Sequence, residues 1–114
     1  MDVEKTVNAD TIVIAPKGSI DHNTAATFEV SLLPAIEEAG ATSGVVIDMD
    51  GVDYMSSVGL RVLMLAAKAA KQGSTPISVC RLGETLAEIF QISRFDKLLT
   101  VHGGLDEAIA ATRP

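Results

Sequence analysis

Short β-branched runs and helical apolar patterns alternate along this chain, and their order limits the fold more than any single motif does. The strand-type runs are EKTVN, TIVIAPKG, GVVIDM, ISVCRL and LLTV, and the helix-type patterns are Asn23–Ala39, Ser57–Gln72, ETLAEIFQI and LDEAIAAT. Asn8, Ala9 and Asp10 predict a hairpin turn between the first two strands. The order β-β-α-β-α-β-α-β-α therefore predicts an α/β fold: a mixed, mostly parallel β-sheet with an N-terminal antiparallel hairpin, flanked by about four helices.

The first helical pattern contains a residue that conflicts with it. Phe28, Leu32 and Ile36 recur every four residues, and Gly40 supplies a stop signal. Pro34 lies inside this span and removes one helical hydrogen bond. We therefore expect the first helix to be kinked or divided at Pro34.

Size and charge exclude several classes of protein. The 114 residues fit one domain, residues 1–114, and 47% hydrophobic residues provide an aliphatic core. Aromatic residues make up only 4%, too few for a base-stacking platform. The formal net charge of −6 leaves no basic face for a phosphate backbone. The composition therefore argues against nucleic acid and is compatible with a protein partner that carries a basic patch.

The cysteine content and the hydropathy of the chain indicate its cellular compartment. Cys80 is the only cysteine, so no internal disulfide can form. The N-terminus lacks a basic-then-apolar signal pattern, and no apolar run approaches the roughly 20 residues of a membrane helix. We therefore expect a soluble cytoplasmic protein without a membrane segment.

The segment DMDGV, after the strand-type run GVVIDM, resembles the Asp-x-Asp-Gly motif of haloacid-dehalogenase-like phosphatases. There the first aspartate is the nucleophile and the second the acid/base, which would assign these roles to Asp48 and Asp50. That chemistry also needs further carboxylates for Mg²⁺, yet the only later aspartates, Asp96 and Asp106, are isolated. A phosphohydrolase is thus a remote alternative to a loop in which these aspartates bond to nearby backbone amides.

No other catalytic or metal-binding pattern is present. His22 and His102 have no ligand spacing to each other or to Cys80, and the chain contains no Gly-rich phosphate loop. The sequence therefore predicts neither catalytic residues, nor a metal, nor a cofactor.

Two serines precede the second helical pattern. Ser is a preferred N-cap residue, and a phosphate is also well accommodated at a helix N-terminus. Arg61 falls on the same helical sector as Ser57, while Leu60 and Met64 form an apolar anchor on that side. Gly59 is costly within a helix, and we interpret it as a position that admits the backbone of a partner. These features predict a protein-docking site that contains a phosphorylatable serine.

The segment YMSSVGLRVL, after the strand GVVIDM, resembles the signature of the STAS domain, the fold of bacterial anti-sigma factor antagonists. The segments GSIDHNTAATF and FQISRFDKLLTVHGGLDEAIAA resemble the strand-to-helix segment and the C-terminal part of that family. The resemblance covers almost the whole chain.

This resemblance implies a partner-switching module that is not an enzyme. Its partner would be an anti-sigma factor that is also a GHKL-type serine kinase, and a PP2C-type phosphatase would reverse the phosphorylation. Alignment on the Gly-Leu pair places the phosphoacceptor on Ser57, with Ser56, which stands where the best-known members have Asp, as the second choice. The implied partner-binding residues are Asp21, Ser56, Val58, Gly59, Leu60, Arg61 and Met64.

A second interpretation keeps the STAS fold without phosphorylation. The same surface could serve a constitutive scaffold, or a subunit of a regulatory or transport complex. The oligomeric state is open at this point, a homodimer included.

Overall fold

A computed structural model describes all residues 1–114 and contains one six-stranded sheet with four α-helices. The elements, in chain order, are β1 Asp2–Asn8, β2 Thr11–Ile20, α1 Ala25–Ala39, β3 Gly44–Asp48, β4 Val52–Met55, α2 Ser57–Gly73, β5 Ile77–Cys80, α3 Glu84–Ser93, a 3₁₀ turn Phe95–Lys97, β6 Thr100–His102 and α4 Leu105–Ala111. The strands lie in the order β1-β2-β3-β5-β6, with β4 also beside β2. Only β1 and β2 are antiparallel, so the predicted fold class is confirmed.

The N-terminal hairpin turns within two residues. Asn8 pairs with Thr11, which leaves Ala9 and Asp10 as the loop, and Ala9 has a φ of 53°. Two-residue hairpin loops favour positive φ because the resulting turn matches the twist of the strands. The predicted turn is therefore confirmed, and β1 forms one edge of the sheet.

The sequence predicts a loop after β3; residues 49–51 form one, with the Asp50 amide bonded to Asp48, but Val52–Met55 form strand β4, which the sequence does not predict. β2 pairs in parallel with β3 along its first half, Thr11 to Ile14, and with β4 along its last three residues, Gly18 to Ile20. The pairing with β4 contains a register shift after Gly18, whose φ is 98°, so that Gly18 lies opposite Val52 and Ser19 opposite Tyr54. The four-residue strand VDYM carries little period-2 signal of its own, because it is short and its burial does not alternate: Val52 and Met55 are buried, whereas Asp53 and Tyr54 are exposed.

Helices cover both faces of the sheet, and the hydrophobic core is larger on one face than on the other. A core cluster of 23 buried residues includes side chains from α1, α2 and α3, together with Ile12, Ile14, Val45 and Ile47 of the sheet. A smaller cluster of five residues contains the intervening strand side chains and α4. Alternate residues of β2 and β3 thus point to opposite sides, as expected for parallel strands covered by helices.

Two local details differ from the sequence-based expectations. Helix α1 is not divided at Pro34, because Pro34 and Val30 both lie on the exposed side, where water can satisfy the carbonyl freed by the missing N–H. The last strand begins at Thr100, and LLTV does not form it as a whole. Leu98 instead closes the 3₁₀ turn by donating its amide to the Phe95 carbonyl at 3.0 Å, and the Leu99 amide donates to the same carbonyl at 2.9 Å.

None of the helices combines the length and the hydropathy that crossing a bilayer requires.

Gly44 provides a test of the packing between β3 and α4. A Cβ at this position would overlap the carbonyl oxygen of Thr112. We expect Gly44→Ala to lower the free energy of unfolding by about 2 kcal/mol, as overpacking of a rigid backbone contact does. Urea denaturation monitored by circular dichroism measures this change.

Gly103→Ala is the matched control, because a Cβ at Gly103 would meet no atom within 4 Å. We expect its free energy of unfolding to stay within about 0.5 kcal/mol of the wild type. Equal stabilities for the two variants would contradict the packing described here.

Candidate functional site

The carboxyl ends of β2 and β4 meet where α2 begins. Ile20 pairs with Met55, and the Ser56 amide continues this ladder by donating to the Ile20 carbonyl at 2.9 Å. Ser56 is extended, and its carbonyl accepts a hydrogen bond from the Leu60 amide at 3.1 Å. This junction determines the residue at which the chain changes from strand to helix.

The two serines at this junction have different environments. Ser56 occupies the N-cap position but makes no side-chain capping bond, and its hydroxyl is enclosed without a hydrogen-bond partner. Ser57 is the first residue of α2 and is exposed. Of the two hydroxyls, only that of Ser57 is open to another protein.

The first turn of α2 is electrostatically suited to a negative group. It contains no acidic residue, and the amides of Ser57, Val58 and Gly59 precede the first intrahelical hydrogen bond. The positive end of the helix dipole lies at the same place. A phosphate on Ser57 would therefore not be repelled by a carboxylate in its own helical turn.

The exposed side of α2 next to Ser57 is partly apolar. Val58 and Met64 are 41% and 42% exposed, and Arg61 is exposed between them. These positions share one side of the helix, since they are three or four residues apart. We call Ser57, Val58, Arg61 and Met64 the docking face. Its opposite side is buried in the main core through Val62, Leu63, Ala66 and Ala70.

Two of the residues implied as partner-binding are turned inward. Gly59 is buried, and a Cβ there would lie 2.6 Å from Met55 Cγ and 2.8 Å from Ile20 Cγ2. The interpretation that Gly59 admits a partner's backbone is therefore replaced: its missing side chain lets α2 approach β2 and β4. Leu60 is half-buried and packs against the core.

Asp21 shapes the turn that leads into α1. Its Oδ1 accepts hydrogen bonds from the Asn23 amide at 2.9 Å and from the Thr24 hydroxyl at 3.3 Å. Its carbonyl accepts from the amides of Thr24 and Ala25. These bonds give Asp21 a structural role at the start of α1, and it directly follows Ile20, whose carbonyl accepts the Ser56 amide.

Tyr54 is an exposed residue near this junction that the sequence analysis missed. It is the only tyrosine of the chain, it lies on β4 three residues before Ser57, and it is 51% exposed. Recognition of VDYM as a strand would not have identified it, because Val52, two residues earlier and on the same face of a regular strand, is buried.

Asp48, a candidate nucleophile, is held in a buried ion pair. It is 4% exposed at the end of β3, and Arg81 donates from Nε to Oδ1 at 3.0 Å and from Nη2 to Oδ2 at 2.5 Å. The Asp50 amide also donates to Oδ1, at 3.2 Å. Arg81, just beyond β5, adopts a φ of 56°. The ion pair thus joins the ends of two neighbouring parallel strands.

The charges of this cluster shift its ionisation. Burial alone raises the pKa of Asp48, but the hydrogen bonds from Arg81 and the Asp50 amide outweigh it, so that the pKa lies below its usual value. Burial, with the Asp48 charge nearby, raises the pKa of the Cys80 thiol to about 11. Cys80 is therefore a protonated thiol of low reactivity at neutral pH.

The ion pair leaves Asp48 unsuited to nucleophilic attack, since both of its oxygens accept hydrogen bonds from Arg81. Asp50 lies near the same guanidinium, with its Oδ2 at 3.8 Å from Arg81 Nη1. No group of three or more His, Cys, Asp or Glu side chains could hold a metal ion. This geometry argues against the phosphohydrolase alternative, in which Asp48 and Asp50 would be catalytic.

Comparison with known proteins agrees with this geometry. The family model described as STAS domain matches residues 2–108. The protein BtrV of Bordetella bronchiseptica, which is named as an anti-sigma factor antagonist, is 30% identical over 100 residues, spanning 88% of this chain and 84% of BtrV.

Solved structures share the same fold. An anti-sigma factor antagonist from Mycobacterium paratuberculosis superposes with a TM-score of 0.87 at 22% identity, covering 99% of this chain and 94% of that one. The Bacillus cell fate determinant SpoIIAA in its phosphorylated form gives a TM-score of 0.73 at 18% identity, covering 98% of this chain and all of the other.

Asp48→Asn tests the ion pair. The substitution removes the charge that compensates Arg81 and disrupts two strong hydrogen bonds, while Arg81 itself is partly hydrated. We expect a loss of about 2 kcal/mol in the free energy of unfolding. Asp53→Asn, at an exposed aspartate of β4, is the control and should change the stability by less than about 0.5 kcal/mol. Similar urea midpoints for both variants would contradict a structural role for Asp48.

The pH dependence of stability gives a second test of the same pair. A carboxyl whose pKa is lowered by folding stabilises the protein above its unfolded value, here 3.8, and this stabilisation is lost as the pH falls through the folded value. We expect the stability difference between wild type and Asp48→Asn to be constant from pH 5 to 7 and to shrink below about pH 4. Urea denaturation at a series of pH values measures it; a constant difference down to pH 2 would contradict the lowered pKa.

Proposed function

This chain belongs to the STAS domain family, and we propose that it is an anti-sigma factor antagonist that is switched off by phosphorylation of Ser57. In its unphosphorylated form the docking face binds an anti-sigma factor that is also a GHKL-type serine kinase, and the sigma factor is released. The kinase then phosphorylates Ser57 and the complex dissociates. A PP2C-type phosphatase restores the binding form, and the cycle takes place in the cytoplasm, where ATP is available.

The observation that carries this proposal is the contrast between the two serine hydroxyls. Ser57 is exposed at the first residue of α2, whereas the Ser56 hydroxyl is enclosed between strand and helix. Phosphorylation of Ser56 would require the strand-to-helix junction to open. The names of BtrV and of the phosphorylated SpoIIAA structure support the same assignment of function.

The transfer requires nothing from this chain beyond an accessible hydroxyl. The Ser57 Oγ attacks the γ-phosphorus of the ATP that the kinase holds, and the bond from that phosphorus to the bridging oxygen of ADP breaks. The hydroxyl proton passes to a base of the kinase, and ADP leaves. Arg61, one helical turn beyond Ser57, can then pair with the new phosphate.

A phosphate on Ser57 would destabilise the complex with the partner and leave the fold of the antagonist intact. Within the protein, the free amides and the dipole of α2 accept a negative group at Ser57 without penalty. In the complex, the same group would have to lose water beside the apolar side chains of Val58 and Met64. Pairing with the phosphate would also withdraw Arg61 from the partner. The switch therefore releases the partner without unfolding the antagonist.

Variants of Ser57 test the switch. We expect Ser57→Ala to retain the kinase, because it keeps the docking face and cannot be phosphorylated. Ser57→Asp should raise the dissociation constant by about tenfold or more, because its negative charge is buried against an apolar interface. The measurement is calorimetric titration of each variant with the ATP-binding kinase that co-purifies with Ser57→Ala.

Ser74→Asp is the matched control, because it adds the same charge just beyond the opposite end of α2, about 25 Å away by helix length. It should bind like the wild type. Intact-mass analysis and peptide mapping of protein from its own cells should show one phosphate, on Ser57. Equal binding by Ser57→Ala and Ser57→Asp, with no phosphorylated species, would refute the switch and favour the constitutive scaffold.

A further inference from the structure

The C-terminal half of α2 borders a groove that the proposed switch does not use. The groove has a volume of about 550 Å³ and lies between α2, the start of β5 and the segment after the 3₁₀ turn. Lys68 and Lys71 belong to α2, and Lys97 is the last residue of the 3₁₀ turn. Met64, Leu98 and neighbouring alanines supply its apolar lining. We call it the lysine groove.

The charge of the lysine groove is opposite to that of the protein. The chain has a net charge of −6, yet three of its nine basic residues line this groove and no carboxylate does. None of these lysines takes part in an ion pair, since the four pairs of the protein involve Lys5, Arg81 and His102. The groove is therefore a local positive site whose charges are not neutralised from within the fold.

The lysines are not needed to complete the end of α2. A basic residue in the last turn often serves the exposed carbonyls there. Here the carbonyl of Ala70 accepts a hydrogen bond from the Thr75 amide at 2.8 Å, and that of Lys71 accepts one from the Ser74 amide at 3.3 Å. The cations of Lys68 and Lys71 are thus available to a ligand.

We propose that the lysine groove binds a small amphipathic anion, with a carboxylate or phosphate head against the lysines and an apolar body against Met64 and Leu98. The volume lies within the range of about 300–1,000 Å³ that is usual for small-molecule sites, and apolar walls with a few convergent polar groups are their usual lining. Met64 belongs to both the lysine groove and the docking face, so an occupant would lie next to the partner-binding surface. The proposal does not depend on phosphorylation of Ser57.

Titration of the ¹⁵N-labelled protein followed by NMR tests this site. The probes are octanoate and octyl phosphate, which have the required anionic head and apolar body. We expect amide shifts concentrated in residues 64–71, 75–77 and 97–98, with a dissociation constant on the order of 1 mM for ligands of this size. Acetate, inorganic phosphate and octanol each lack one half of the ligand and should bind at least about tenfold more weakly.

Substitution of the three lysines separates this site from general charge effects. The triple variant Lys68→Gln, Lys71→Gln, Lys97→Gln should lose at least about tenfold in affinity for octanoate, because three partly exposed cations are removed. Lys5→Gln, at a lysine paired with Glu38 at 2.6 Å, is the control and should bind like the wild type. All four positions are exposed, so the variants should keep the amide dispersion of the folded protein.

Three results would overturn the proposal. Octanol binding as tightly as octanoate, shifts spread over the whole surface, or an unchanged affinity in the triple variant would each refute it. Co-sedimentation with phosphatidylglycerol vesicles would assign the lysines to a membrane surface instead. We expect no co-sedimentation, because the net charge of −6 opposes binding to an anionic bilayer.

Discussion

The parallel pairing of β2 with two successive strands is the constraint on which the rest of this structure depends. β3 follows the first half of β2, and after a short turn β4 follows its end, so that Ile20 lies beside Met55. The hydrogen bond from the Ser56 amide to Ile20 then determines where α2 begins. Ser57 is exposed because its neighbour is held by this ladder, and the buried Gly59 allows the helix to lie against both strands.

The ion pair between Asp48 and Arg81 plays the corresponding part at the next strand ends. It joins β3 to the residue that follows β5, across 33 positions of sequence. Its aspartate belongs to a motif that resembles a catalytic one, but in this fold the carboxylate neutralises an arginine. Chemically similar residues can thus serve stability or catalysis, and the difference lies in whether a partner already occupies the oxygens.

A single helix carries two surfaces of different character. The N-terminal half of α2 presents the docking face, where a phosphate would meet free amides, and the C-terminal half borders the lysine groove. Met64 lies on both, two turns from Ser57. Because α2 packs against α1 and is buried along one side from Gly59 to Ala70, the two surfaces have a fixed geometry. Occupation of one can therefore affect access to the other without any change of fold.

The sequence by itself determined the order and type of nearly all elements, the side of α2 that faces the sheet, and the position of Ser57 at a helix start. These properties follow from spacings of two to four residues, which the local backbone geometry enforces. Only the tertiary structure decided that residues 52–55 pair with β2, that the Ser56 hydroxyl is enclosed, and that Asp48 meets Arg81. It likewise brought Lys97 to the groove beside α2. Each of these depends on residues distant in the chain, and no local period encodes such contacts.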